Sequence, residues 1–509
     1  MTSIARHVGG NWLLNALQLA AVLVLSPYVY ESLGAQQNGA WVVVVSWTGL
    51  LSLLVLGVPM ATVRFVGAEA AKGDLAALNR VVATCQRTLC VLALAALVVG
   101  LGLWAWFRVG WLQGSPGAAF DAAQRADASL AFLLIVLQVA AAFVLRLPYA
   151  VLEAHKDFAA RNMLMAGEVL LRTGLTLACL AWRPSLSTLA AVLVATMVVE
   201  NLAARAGARP RHTGLEFRLD GADAALVKPL LKFSVWALLL NVGALLSFRV
   251  AAIVISTHLP PSEATWFDFG NKFFDPLAGL LIAVGAVVMP HAAHLSTRGA
   301  TDELREVYLR WSKVCTLASL VVLTFLVFVG PAFLLVWAGP EVAERSSAVL
   351  LVLCAGFLPY LPVRGVSVPV LMGSGEARTP ALAMLGTGLA NVLLSLVLVR
   401  THGIVGVAVG TALPTALFAA WVLPAACRRA GVGLGEYARS VVAPQLAGAA
   451  VVALATWGAV RALRPDSWIE VLALGMMVVL LYAALWLSIV WRGDPQLDTR
   501  RLFSRLRQG

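Results

Sequence analysis

Five cations stand in stretches of sequence too apolar to hold a charge cheaply: Arg146, Arg172, Arg249, Lys272 and Arg364. A charge inside a membrane is costly, and it faces protein or a water-filled cavity rather than lipid. A guanidinium carries its donors in a fixed fork that matches phosphate oxygens, so arginines staggered in depth suit an anionic head group. The same stretches hold two acids, Glu168 and Asp275, with Glu200 near the end of another apolar run. Glu168 and Arg172 are four apart, and Lys272 and Asp275 three apart. Both spacings let side chains pair on one helical face, as internal ion pairs or as coupling acids. Arg146, Arg249 and Arg364 have no acid within four residues. For these three, substrate contact and pairing across helices both stay open. Arg64 lies so near the end of its run that snorkelling to the interface is the plainer account.

Five amides are candidates for the same path: Asn15 and Gln18, which share a helical face, together with Asn241, Asn271 beside Lys272, and Asn391. Prolines 229, 276, 290, 359, 362, 369 and 414 supply bends, most densely at Pro359-Tyr360-Leu361-Pro362-Val363-Arg364-Gly365. Other chemistry finds little support. His291 and His294 are three apart without a nearby acid, and the six cysteines lack metal-type spacing. There is no glycine loop built to cradle phosphate and no pairing of nucleophile with base. A transporter that needs no cofactor is therefore expected, not an enzyme.

The elements that must hold these residues are membrane helices. Of 509 residues, 60% are hydrophobic and 13% charged. Apolar runs of about 20 residues, the length that crosses a hydrocarbon core, recur from end to end. Hydropathy predicts an all-α polytopic protein with fourteen helices: 11–30, 39–65, 86–107, 129–152, 162–182, 186–206, 228–256, 271–295, 314–336, 348–372, 379–399, 403–427, 440–460 and 468–491. With both termini cytoplasmic, inside segments carry 26 of the 38 Lys and Arg and outside segments carry seven. That bias follows the positive-inside rule, and anionic inner-leaflet lipid accounts for the net charge of +12 without nucleic acid.

Two loops resemble each other. Gly73, Leu78, Val81 and Arg87 recur in type and spacing as Gly299, Leu304, Val307 and Lys313. A glycine followed by a short amphipathic helix on the membrane face is expected at both. The repeat predicts two six-helix lobes with a cavity between them, residues 1–206 and 228–430, joined by a cytoplasmic linker at 207–227. Residues 431–509 then hold two further helices and a basic tail.

Some of these residues carry a family resemblance. Asn11, Ser26-Pro27-Tyr28, Leu33-Gly34, Gly39-Ala40-Trp41, Gly57-Val58-Pro59 and Arg64 are the first group. The second is Leu371-Met372-Gly373-Ser374-Gly375-Glu376-Ala377-Arg378, with Asn391 and the segment from Gly403 to Thr411. Over nearly its whole length the chain resembles the multidrug, oligosaccharidyl-lipid and polysaccharide exporter superfamily, and most nearly its O-antigen-type flippases. The resemblance implies alternating access in a bacterial inner membrane, moving an undecaprenyl-diphosphate-linked oligosaccharide to the periplasmic leaflet. Exopolysaccharide, capsule or O-antigen assembly would follow, with glycosyltransferases and a polymerase as pathway partners. Lipid II flipping, cation-coupled drug export and a non-transporting scaffold are the alternatives, and coupling to a proton or sodium gradient stays open.

Overall fold

The computed structural model describes residues 2–55, 58–72, 74–114, 120–155, 157–211, 217, 219–227, 235–492 and 494–497. Among these are twelve helices long and apolar enough to cross a membrane. They are α1 Leu13–Val55, α2 Leu75–Gly114, α3 Ala122–Ala154, α4 Phe158–Trp182, α5 Leu186–Gly207 and α6 Leu238–His258. Then follow α7 Pro261–Thr297, α8 Thr301–Phe328, α9 Pro340–Gly373, α10 Arg378–Arg429, α11 Leu434–Leu463 and α12 Trp468–Val490.

The expected fourteen helices, and the six-six-two arrangement drawn from them, are corrected by this count. Two expected pairs, 11–30 with the first part of 39–65 and 379–399 with 403–427, meet across a non-helical glycine kink and count once each among the twelve, while residues 58–65 belong to the separate helix Val58–Lys72. Gly34 (φ 77, ψ 167) and Gly403 (φ 57, ψ −140) adopt backbone angles that a Cβ would oppose. A 52-residue helix at 1.5 Å per residue would run about 78 Å if straight, far beyond a bilayer's core. At Gly403 the chain doubles back instead. Asn391 Nδ2 donates to Thr411 Oγ1 at 3.0 Å, and Thr387 Oγ1 donates to the Pro414 carbonyl at 3.5 Å.

The loop repeat also takes another form. Asp74 caps the helix that becomes α2, accepting from the Ala77 N–H at 3.0 Å, and that helix runs on unbroken to Trp106. Thr301–Phe328 is likewise continuous after Gly299, whose φ is 66. The amphipathic segments are thus the first turns of long helices rather than separate short ones; Gly73 lies outside the described residues.

Contacts divide the chain into two compact units, Met1–Thr265 and Trp266–Gly509. In the first, α3 packs against α2 and α5, and α1 against α4. A helix at Val58–Lys72, too short to be one of the twelve, seats Val58 and Val66 on Val82, Leu89, Leu147 and Val151. In the second, α9 packs against α10, and α8 receives the α11–α12 pair through Leu320, Ala449, Val452, Val478 and Trp486. Gly448 makes that approach possible, since a Cβ there would sit 2.9 Å from the Trp486 ring. Below this seam Lys313 is 2% exposed, contrary to its place among the inside-loop cations. Its ammonium pairs with Asp494 and donates to Gln496 Oε1 at 2.6 Å, pinning the segment just beyond α12 to α8.

Candidate functional site

Four of the five intramembrane cations sit where a helical ladder is interrupted. Arg146 (φ −80, ψ −3) separates Ala122–Leu145 from Leu147–Ala154 within α3. Pro148 follows at once and has no N–H to carry the ladder on. Arg249 (φ −110, ψ −23) separates Val235–Phe248 from Val250–His258. Lys272 lies in the turn between Pro261–Asn271 and Phe274–Thr297. Arg364 belongs to the π-turn Val363–Ser367, in which the Val368 N–H reaches back five residues to the Val363 carbonyl. A helix end leaves carbonyls without partners and concentrates the negative end of the macrodipole, so it is a favourable place for a cation in an apolar medium. Only Arg172 lies mid-helix.

In the first unit, three helices bring a polar cluster together. Tyr149 on α3 donates its hydroxyl to Glu200 Oε1 on α5 at 2.7 Å. On α4, Glu168 pairs with Arg172 at 3.4 Å, as the four-residue spacing predicts. Arg172, Glu200 and Arg146 all act electrostatically on Glu168, and Thr196 hydrogen-bonds to it. Two guanidinium groups thus face two carboxylates. Sequence reasoning found Arg146, Glu168, Arg172 and Glu200; it missed Tyr149 and Thr196, which carry no charge to mark them.

The second unit holds a smaller cluster. Arg364 hydrogen-bonds to the Tyr360 hydroxyl one turn back, and Asp275 acts electrostatically on the same phenol. Phe357 and Phe418 wall Tyr360 in. Lys272 does not take Asp275, because residues 272 and 273 form a turn and three residues there are not one helical turn. It pairs with Asp268, four residues back, and lies 5.5 Å from the Phe269 ring centroid. Asp268 fell in a segment read as a loop. Its signals were Pro261 at a helix start and Glu263 in the first turn.

The amides divide. Asn391 is 1% exposed, donating to Thr411 while its Oδ1 accepts from Ser395 Oγ at 3.1 Å. Its polar atoms staple the two limbs of α10. Asn15 and Gln18 are half-buried on α1, and Asn241 is exposed on α6. No hydrogen bond or ion pair among the described residues joins these three to either cluster. Arg64's side chain lies outside the described residues.

No group of three or more His, Cys, Asp or Glu placed to hold a metal occurs among the described residues. No protein-family model and no curated protein matches the chain. Solved structures do. The lipid II flippase MurJ, in an inward closed conformation, matches with a TM-score of 0.70 and 12% identity, covering 99% of this chain and 100% of that one. An inward-facing multidrug resistance transporter of the MATE family matches with a TM-score of 0.66 and 15% identity, covering 82% of this chain and 98% of that one. A MOP-superfamily transporter from Pyrococcus furiosus, for which a reversed polarity of the binding pocket is described, matches with a TM-score of 0.59 and 14% identity over 84% of this chain and 95% of that one. This multi-pass membrane protein therefore has the fold of the transporters of the MOP superfamily.

Proposed function

We propose that the chain is a flippase of the lipid II type, carrying a polyprenyl-diphosphate-linked saccharide from the cytoplasmic to the outer leaflet of a bacterial inner membrane. The observation that carries this reading is the α11–α12 pair. The MATE structures cover 82% and 84% of the chain, whereas the lipid II flippase covers 99%, a difference in length comparable to that of residues 431–509. That pair is docked on α8 through an apolar seam, so it travels with the second unit. The arginines at the ladder breaks add donors suited to a diphosphate, on discontinuous helices of the kind that form substrate sites in secondary transporters. A repeat unit of an exopolysaccharide, capsule or O-antigen shares the carrier chemistry, and its synthetic enzymes would then be the partners.

The test is leaflet transfer in proteoliposomes holding the purified full-length chain. Labelled lipid II reaching the far leaflet supports the lipid II type. Transfer of a repeat-unit carrier alone moves the assignment to polysaccharide assembly. No transfer of either overturns flipping.

One observation favours a second reading, cation-coupled export of small molecules. Glu168, Glu200 and Tyr149 form an acid cluster inside the first unit. Uptake of a small organic cation driven by an imposed proton or sodium gradient, and lost on Glu168→Gln, would establish it in place of flipping.

A further inference from the structure

Seven basic residues break the inside bias of the charge count, and four of them gather in two places. In the first unit, Arg108 and Arg125 line a recess of about 520 Å³ with Trp104 and Ser129. In the second, Arg461 and Arg464 line a recess of about 600 Å³ with Val460 and Pro465. Both recesses lie at helix ends, that of α2 in the first unit and that of α11 in the second. The local chemistry is the same in each. A tryptophan one helical turn earlier lies under an arginine: Arg108 is 5.7 Å from the Trp104 ring and Arg461 is 4.3 Å from the Trp457 ring. Tryptophan marks the level of lipid head groups, and the cation–π contact holds the guanidinium there.

Among the described residues no carboxylate forms an ion pair with any of these four arginines. Asp121 accepts from the Gln124 N–H at 2.7 Å, and Asp127 accepts from the Leu186 N–H at 2.7 Å. Glu470 accepts from the Asp466 and Ser467 N–H groups at 3.0 and 3.2 Å. Asp121, Asp127 and Glu470 each cap a helix start. Backbone geometry adds a second line. Arg464 is the one non-glycine residue with positive φ among the described residues, at 47. It ends the helix of α11 where glycine or asparagine is the favoured residue, at an energetic cost. The π-turn Phe107–Trp111 likewise carries Arg108 at an irregular stretch.

We infer that each unit carries a binding recess for a lipid-borne phosphate at the level of the membrane interface, formed by Arg108 and Arg125 in one and by Arg461 and Arg464 in the other. The lipid is a resident anionic phospholipid or the diphosphate of a polyprenyl carrier, and the inference does not depend on the transport reading.

Native mass spectrometry of the full-length chain tests it, with phosphatidylglycerol, phosphatidylcholine or undecaprenyl diphosphate added to detergent. The wild type should retain phosphatidylglycerol over phosphatidylcholine. Arg108→Gln with Arg125→Gln, or Arg461→Gln with Arg464→Gly, should weaken retention about fivefold per charge removed. Arg464→Gly relieves the left-handed backbone, so its melting temperature should hold or rise while retention falls, which separates binding from folding. Displacement of phosphatidylglycerol by undecaprenyl diphosphate identifies the carrier as occupant; its failure to displace identifies the phospholipid. Unchanged retention in both recess variants, or an equal loss in Arg345→Gln and Arg400→Gln controls, overturns the inference and leaves these arginines as snorkelling side chains.

Discussion

Tyr149 and Glu200 meet at 2.7 Å from two helices 51 residues apart in sequence, phenol donating to carboxylate. The contact fastens α3, just past its break at Arg146, to α5, and sets one carboxylate of the first-unit cluster in place. Without the phenol, a half-buried Glu200 would lose a hydrogen bond to a charged group, a contact usually contributing about 1.5–3 kcal/mol.

Tyr149→Phe should therefore lower the melting temperature of the purified chain by several degrees and slow transport severalfold. The comparison is with Tyr28→Phe, which removes a hydroxyl bonded only to the Leu177 carbonyl. Equal transport by the two variants would show that the cluster plays no part in the cycle.

Arg364→Lys keeps the charge at the π-turn but gives up the planar fork. Substrate recognition through paired donors predicts a loss of more than tenfold in transport for both Arg364→Lys and Arg364→Gln. Full activity of the lysine variant would reduce the role of Arg364 to a point charge beside Tyr360.

Asn391→Ala removes the staple across the bend at Gly403 and leaves the Thr411 hydroxyl with one partner fewer. A loss of about 1–3 kcal/mol follows for an unmet buried polar group. Melting in detergent should fall accordingly, with transport per folded molecule unchanged; a selective loss of transport would return Asn391 to the substrate path.

Lys313→Met alone strands Asp494 and should cost about 3–5 kcal/mol, as broken buried ion pairs do. Lys313→Met with Asp494→Leu should recover most of that cost, because two apolar side chains need no counter-charge. Thermal melting of both variants checks it; a double variant no better than the single one would show that the pair supplies net stability.

The charged residues were legible in the sequence because each violates the apolar composition around it, and Glu168 with Arg172 paired as spaced. Helical mass was legible for the same reason. What escaped were features set by backbone geometry or by distant partners. Gly34 and Gly403 each join two helical limbs with no intervening loop, a junction that hydropathy does not reveal. Lys272 pairs with Asp268 instead of Asp275, and its position in a turn is not visible from spacing. Asp127 accepts from Leu186 and Ser187 of another helix start, a cap that no local motif announces. Lys313 read as one more cation at the inner surface, since its partner is far along the chain.

That separation has a consequence in time. Lys313 emerges 181 residues before Asp494, and at 5–20 residues per second the wait is about 9–36 seconds. Until the last turn past α12 is made, the ammonium has no counter-ion and is held at the water boundary. The Lys313–Asp494 contact can therefore form only after the chain has been made as far as Asp494.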